Sequence, residues 1–424
     1  LGPTPFSALA EIFLMFSNSV LARTLCVALL MAGGSGASFA QTAQALTLEE
    51  ALARAESNVP ALVQAQAAVD AAEGRRQQAG LGPNPEVRLE VENFSGSGLY
   101  SGLDLAESTL AIGQTIELGG KREARVRAGE AEVSAAQLSA RVARAELTVT
   151  VKSRFAAALA SEAQVTLARG ALGRANDLAR SAQALVDAGR EPPLRALRAR
   201  TAVAEAQAEL DRLIAADNAV RAALAALLGD VVAPQHVVGS LSELSKPAGV
   251  PDPMQSLDVR LAEAQAAAAR AIVARERAAG STDVTAEVGV RRFEEDRENA
   301  IVFGLSMPIP IFNQNQGNVA AANADVRAAD SRRVQAIAEA VQRIRGAEDA
   351  FAAADRRVQT LEVIAGPTAQ EALDLARAGF EAGRFSLLDV LDAEAAFASA
   401  QATLIEAQRD RAVAAAELER ALAR

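Results

Sequence analysis

The sequence predicts a mainly α-helical chain with membrane-type β-strands, built from a helix–strand pair–helical hairpin unit that occurs twice. Three observations predict it. The 424-residue chain is 50% hydrophobic but only 3% aromatic, with no Trp and one Tyr. Much of that apolar fraction is alanine, the best helix former and a poor filler of a compact core. Secondly, VDAGREPPLRALRARTAVAEAQAEL at 186–210 resembles FEAGRFSLLDVLDAEAAFASAQATL at 380–404, with Ala188-Gly189-Arg190 over Ala382-Gly383-Arg384 at an offset of 194. Thirdly, short runs such as PEVRLEVENF at 85–94 alternate apolar and charged residues, a two-residue period that belongs to strands.

The first 40 residues read as a secretory signal peptide. From Met15, the expected true start, Arg23 precedes an apolar run from Leu25 to Met31, and small residues end at Ser38-Phe39-Ala40. The run is too short to span a bilayer as a helix and fits a cleavage site after Ala40. The only cysteine, Cys26, lies inside this segment. The mature chain is therefore expected to hold no disulfide, thiolate metal site or catalytic Cys. Arg23 and Thr24 stand where a lipidated cysteine needs small residues. The formal charge of -10 argues against a nucleic-acid partner.

The first repeat spans 41–229. Its opening helix, VQAQAAVDAAEGRRQQAG at 63–80, resembles LAEAQAAAARAIVARERAAG at 261–280 in the second repeat. Strands follow at 86–94 and 107–117. In the latter, Leu110, Ile112 and Ile116 share one face and Thr109, Ala111, Gly113, Thr115 and Glu117 the other. A long helical hairpin is expected over 121–229. Its first leg, Lys121 to Asp187, has no proline and would reach about 100 Å at 1.5 Å per residue. Gly189 turns the chain into the second leg.

Prolines at 234, 247, 251 and 253 forbid continuous helix over 230–254, which reads as a linker or small irregular element. The second repeat, 255–424, has strands at 284–293 and 300–311 and a hairpin over 317–424 that turns at Gly383. Gly366-Pro367 is expected to kink or break its first leg. Val284, Ala286, Val288 and Val290 face one way, opposite Thr285, Glu287 and Arg291; Ile301, Phe303, Leu305, Met307, Ile309 and Ile311 share a face in the last strand.

Strands of about ten residues with one apolar face match transmembrane β-strands, apolar toward lipid and polar toward a lumen. The other reading is two hairpins on a soluble core, with the helices as a soluble coiled coil. Four strands cannot close a barrel, and an open edge cannot sit in lipid. Membrane-embedded strands would therefore require two or three chains to share one barrel.

The repeat plan, QTIELGGKREAR at 114–125, PIPIFNQNQGN at 308–318 and FEAGRFSLLDVLDAEAAF at 380–397 resemble the TolC-type outer-membrane factor family over about residues 46 to 422. The stretch ENFSGSGLYSGLDLAESTLAIGQTIELGGKR at 92–122 is most similar to its heavy-metal (cobalt–zinc–cadmium) efflux branch. The resemblance implies the outer-membrane-factor fold: a homotrimer with a 12-stranded β-barrel in the outer membrane of a Gram-negative bacterium, continuous with a periplasmic α-helical barrel. It implies a passive duct, docked on a periplasmic adaptor (membrane fusion) protein and an inner-membrane proton-driven, RND-type transporter. A multidrug or type I protein-export channel of the same fold is the alternative; a periplasmic structural or adaptor coiled-coil protein is the alternative of another class.

Asp389 and Asp392 in LLDVLDA lie one turn apart on a helix face just after Gly383. The resemblance implies that they form the acidic constriction at the periplasmic entrance; otherwise they are two solvated carboxylates. The equivalent positions in the first repeat are Arg195 and Arg198, so pairing of the tips is possible, with Arg384 beside them. Phe385 stands where the family often carries a basic residue. Gly119 and Gly120, and the Asn313 to Asn318 stretch, are expected to make the strand-to-helix transitions. Pro308 and Pro310 remove two ladder donors and are expected at a strand end or bulge. His236, the sole histidine, reads as a surface residue. With no mature Cys and no His pair, no transition-metal site of the usual N/S type is expected within one chain. No nucleophile–base pair, phosphate loop or cofactor motif is present, so no enzymatic activity and no cofactor are expected.

Overall fold

The computed structural model describes residues 45–244 and 251–423. The expected signal peptide, residues 245–250 of the linker and the last residue lie outside them. The chain opens with a short strand, β1 (Leu46–Thr47), and helix α1 (Leu48–Asn58). Thr47 caps α1 through its hydroxyl, which accepts from the Glu50 N–H at 3.3 Å. Pro60 lacks the N–H to continue α1 and opens α2 (Pro60–Ala79) instead.

Two antiparallel strands follow, β2 (Glu86–Glu92) and β3 (Glu107–Ile116), then the 67-residue helix α3 (Lys121–Asp187) and its return leg α4 (Pro193–Leu228). The second repeat comprises α5 (Leu257–Ala279), β5 (Val284–Phe293), β6 (Asn299–Ser306), α6 (Gln316–Thr360), α7 (Gly366–Glu381) and α8 (Leu387–Ala421). The strands end earlier than their alternation suggests. Asn93 takes a left-handed φ of 57° and stops β2; β6 ends at Ser306, before Pro308 and Pro310, which have no N–H to donate.

The expected break at Gly366-Pro367 takes a definite form. Residues Leu361–Ala365 form one π-helical turn, in which the Gly366 N–H reaches back to the Leu361 carbonyl. Pro367 cannot donate to Val363 and its ring crowds that carbonyl, so the ladder slips by one residue.

The four long strands form one antiparallel sheet in the order β2-β3-β5-β6. Its register aligns the apolar residues across all four. Leu89 faces Leu110, which faces Val290, which faces Ile301; two residues along, Val87, Ile112, Val288 and Phe303 make the next row. This apolar face is bare: Val87 is 74% exposed and Ile301 83%. The helices that continue these strands pack side by side in the same sequence, α2 on α3, α3 on α5 and α5 on α6. The β2/α2 edge and the β6/α6 edge are both left open.

The largest core lies lower, where α1, the middle of α3 and the end of α4 meet. Val151, Phe155, Leu224 and Leu228 are fully buried there with Leu46 and Val237, each large side chain contributing roughly 1.5–3 kcal/mol. The proline-rich segment is thus more than a linker. It contributes β4 (Val237–Val238), paired parallel to β1, and Leu241, buried in the same core. His236 Nδ1 lies 2.9 Å from Glu162 at its surface.

The joint between sheet and helices is tightly built. Gly119 and Gly120 both have φ of 70°, a left-handed conformation in which residues with a Cβ are strained. A Cβ on Gly119 would also lie 2.1 Å from Ser281 Oγ. In the second repeat Asn315, φ 62°, occupies the place of Gly120 as the cap before the long helix. Asp283 fastens the joint by accepting from Lys121 Nζ at 2.7 Å and from the Leu118 N–H at 3.2 Å. Lower down, Arg420, only 8% exposed, holds Asp258 through two hydrogen bonds of 3.1 and 3.0 Å, and Arg343 bonds the same carboxylate. Burial opposes ionisation of Asp258, but the two guanidinium groups outweigh it and hold the carboxyl below its ordinary range.

Two outcomes follow from this packing. Gly119→Ala should lower the stability of the purified chain by roughly 2 kcal/mol through strain and overpacking, read as a lower midpoint in thermal circular dichroism. Gly317→Ala, in open space within α6, should leave it unchanged or slightly higher. For Asp258, the depressed carboxyl stabilises the fold above the unfolded-state pKa of about 3.9, and that contribution disappears as pH falls through the lower folded value. The stability difference between the native chain and Asp258→Asn should therefore be constant above about pH 5 and shrink below about pH 4, measured by denaturant titration.

Candidate functional site

The features expected to carry function lie at the two hairpin tips and on the two faces of the sheet. Each tip turns through a left-handed glycine, Gly189 at φ 69° and Gly383 at φ 70°. In the second tip the Arg384 N–H donates to the Gly379 carbonyl at 2.8 Å, and the Phe385 ring covers Gly379, where a Cβ would lie 2.1 Å from it. Ser386 then caps α8: its hydroxyl accepts from the Asp389 N–H, and the Asp389 carboxylate accepts from the Ser386 N–H at 2.7 Å and hydroxyl at 2.8 Å.

Asp389 is thus a helix-capping residue as well as a candidate entrance carboxylate. Hydrogen bonds from the Ser386 hydroxyl and N–H hold its carboxyl below the ordinary aspartate range, so it stays ionised at neutral pH. Asp392 sits one turn further on, exposed, with no hydrogen bond or ion pair among the described residues. Leu387 and Val390, buried with Ala182, Ala199, Ala376 and Phe380, pin the other face of α8 to α3, α4 and α7. That anchoring leaves both aspartates in solvent.

The arginines of the first tip do not reach these aspartates within the chain. Arg195 donates to Glu191 at 2.6 Å, one turn back. Arg198 is exposed and lines a groove of about 490 Å³ between α3, α4 and α8. Near the tips, the charge pair among the described residues that does join the two hairpins involves residues the sequence reading passed over. Glu394 of α8 accepts from Arg174 Nε of α3 at 2.8 Å and from Arg377 of α7. The Arg174 guanidinium also lies 5.1 Å from the Phe397 ring centre, within cation–π range. Arg377 and Glu394 stand at unequal distances either side of the Gly383 turn, so sequence spacing gave no signal that pairs them.

On the polar face of the sheet Arg291 bonds Glu107 and Thr109, each at 2.9 Å, and lies 3.1 Å from Glu92. Glu86 and Glu287 share a row with Gly113 and Gly304 and make no ion pair among the described residues. Those residues also contain no group of three or more His, Cys, Asp or Glu able to hold a metal ion, and no helix long and apolar enough to cross a membrane. The wide apolar surface is confined to the opposite face of the sheet.

Comparison with known proteins identifies this arrangement. The family model described as outer membrane efflux protein matches residues 51–230 and 254–424. The cobalt-zinc-cadmium resistance protein CzcC of Cupriavidus metallidurans is 34% identical over 365 residues, covering 84% of each chain. The nickel and cobalt resistance protein CnrC of the same organism is 34% identical over 289 residues, 67% of this chain and 68% of its own. Among solved structures, CusC superposes with a TM-score of 0.75 at 20% identity, over 89% of this chain and 92% of that one; at that identity the likeness shows the fold. A bare apolar sheet face, two long helical hairpins and a family match over both repeats agree: the chain belongs to the outer membrane efflux protein family, the non-enzymatic outer-membrane ducts of tripartite efflux systems.

Proposed function

We propose that three copies of this chain close into one duct that carries heavy-metal cations from a periplasmic adaptor and an inner-membrane, proton-driven RND-type transporter to the cell exterior. The observation that carries this is the matching of open edges. Sheet and helical layer run in the same order and end on the same two sides, so one rotation seals both when the β6/α6 edge of one copy meets the β2/α2 edge of the next. Two copies would give eight strands, whose interior side chains fill; three give twelve and leave room for a lumen. Val63 on α2 and Val334 on α6, 60% and 61% exposed, stand on the helices that would meet.

The relatives' names, resistance to cobalt, zinc, cadmium and nickel, favour metal cations over drugs or proteins as cargo. Conduction rather than capture suits a chain whose carboxylates are spread along its length. At the entrance, three copies of Asp389 and Asp392 would make two rings of charge, which favour cations and repel anions. Pairing of Arg195, Arg198 and Arg384 with these aspartates would then occur between protomers.

The mass of the mature chain in non-denaturing detergent should be that of three chains; a one- or two-chain species would overturn the assembly. In planar bilayers, Asp389→Asn with Asp392→Asn should lower the cation-to-anion permeability ratio several-fold and weaken block by divalent cations. Asn is chosen because it keeps an acceptor for Ser386. The native selectivity should persist as pH falls to about 4, because Asp389 is held ionised; unchanged selectivity in the double variant would remove the entrance rings. Deletion of the gene should sensitise the host to cobalt, zinc or cadmium and not to drugs, the reverse pattern favouring the multidrug channel.

A further inference from the structure

The two open edges carry the same pattern. On α2, Val63, Ala67, Asp70 and Gly74 follow one another at steps of four, three and four residues, and all four are exposed. On α6, Arg327, Ser331, Val334 and Ala338 repeat those steps and are exposed too. Such steps lay out a helix–helix seam. The chain itself uses other faces of these helices: it buries Val69 and Ala72 of α2, and Ala322, Ala329 and Ala340 of α6. Each seam has one large apolar side chain, Val63 or Val334, and one charge, Asp70 or Arg327; its other two members are small. Asp70 accepts from Gln66 at 2.9 Å and Arg327 donates to the Asn323 carbonyl at 3.3 Å, each within its own helix. Neither forms an ion pair among the described residues.

The contacts across the helical wall place the two seams at one level. Gly119 packs on Ser281 and Gly280 on Gln314, where a Cβ would lie 2.1 and 2.6 Å from its neighbour, so these four residues mark the joint. Gly129, ten residues below Gly119, packs on Arg76, with a Cβ position 3.0 Å from the Arg76 Cα. Counted on from Arg76, Gly74 is twelve residues below the joint, Asp70 sixteen, Ala67 nineteen and Val63 twenty-three. Counted from Gln314, Arg327 is thirteen residues below it, Ser331 seventeen, Val334 twenty and Ala338 twenty-four. Every α2 position thus has an α6 counterpart within one residue, or about 1.5 Å. Rotation about the axis of a ring keeps each residue at its level, so level residues on the two edges are the ones that meet.

We propose that α6 of one copy lies along α2 of the next in this register, and that Arg327 of the first pairs with Asp70 of the second to lock it. This rests on reading the duct as a closed ring of copies. The fit sets large against small throughout: Val63 meets Ala338, Val334 meets Ala67, Asp70 meets Ser331 and Arg327 meets Gly74. Glycine is unfavourable within a helix, but a Cβ on Gly74 would meet nothing within 4 Å in the chain. The open space fits the Arg327 stem, which crosses it to reach Asp70 one turn away. The charges supply what small side chains cannot. A seam of alanines slides readily, whereas a single polar pair at a seam position fixes register. A slip of one heptad, about 10 Å, would leave both charges unpaired and draw the strands above out of line.

The test uses the mature chain in detergent, free of native cysteine once Cys26 leaves with the expected signal peptide. Asp70→Arg and Arg327→Asp should each lower the association constant of the ring about five-fold per interface, roughly a hundred-fold over three, with the circular dichroism of the chain unchanged. The double variant, which swaps the two charges, should recover to within about ten-fold of the native chain. On mild oxidation, Ala67→Cys with Val334→Cys should link neighbouring copies, because a close seam brings α-carbons within disulfide range. Ala67→Cys with Ala324→Cys, about 15 Å out of register, should not. A double charge variant no tighter than the single ones, no link through the first cysteine pair, or equal linking through the second would each overturn the register. A ring of native mass that ignores both charge reversals would keep the duct and sink the lock; a linked species that closes at two copies would keep the lock and sink the three-copy duct.

Discussion

The rest of the molecule depends on one constraint: a sheet in hydrocarbon has no water to satisfy its edges. Each free N–H or C=O there costs several kcal/mol. The four-stranded sheet has a bare apolar face and two unpaired edges, and neither is tolerable for a single chain in either solvent. Water would meet a broad greasy surface spanning Val87 to Ile301; lipid would meet open ladders on β2 and β6. Self-association around a closed ring resolves both, and it dictates that the helices continuing those strands close as well.

The helical part answers to a different economy of space. Alanine-rich helices bring backbones close and build long walls from little side-chain volume. Phe155 and the few leucines around it then anchor the walls where α1, α3, α4 and α8 converge. Charged residues do the local fastening: Lys121 with Asp283 at the joint, Arg420 with Asp258 lower down, and Arg174 with Glu394 near the tips. Each couples a residue of the first repeat, or the end of the chain, to the second. The duplicated halves thus remain one body although their sequences have diverged at most contacts.

The candidate functional residues lie where the two repeats diverge. The same structural position holds Gly120 in one copy and Asn315 in the other with hardly any change of backbone. Elsewhere the copies part company: Arg195 and Arg198 stand opposite Asp389 and Asp392, and a continuous helix stands opposite one interrupted by Pro367. In the proposed ring, equivalent elements of opposite charge would give alternating hairpins two kinds of member, which an exact duplication could not supply.

Periodicity, proline positions and the repeat offset by themselves determined the fold plan, the four strands and their apolar faces, the hairpin turns and the site of the break. These are local properties: an alternation of two, a run without proline, or a glycine that can take positive φ is written in neighbouring residues. The tertiary structure alone decided the strand order, the matching of open edges, the packing of Val237 and Leu241 into the core, and the partners of Asp389 and Glu394. Those depend on which distant residues meet. Asp389 is bound by Ser386 because the chain places a cap there, and Arg174 meets Glu394, 220 residues away, because two hairpins happen to lie side by side, a proximity that no spacing within either segment encodes.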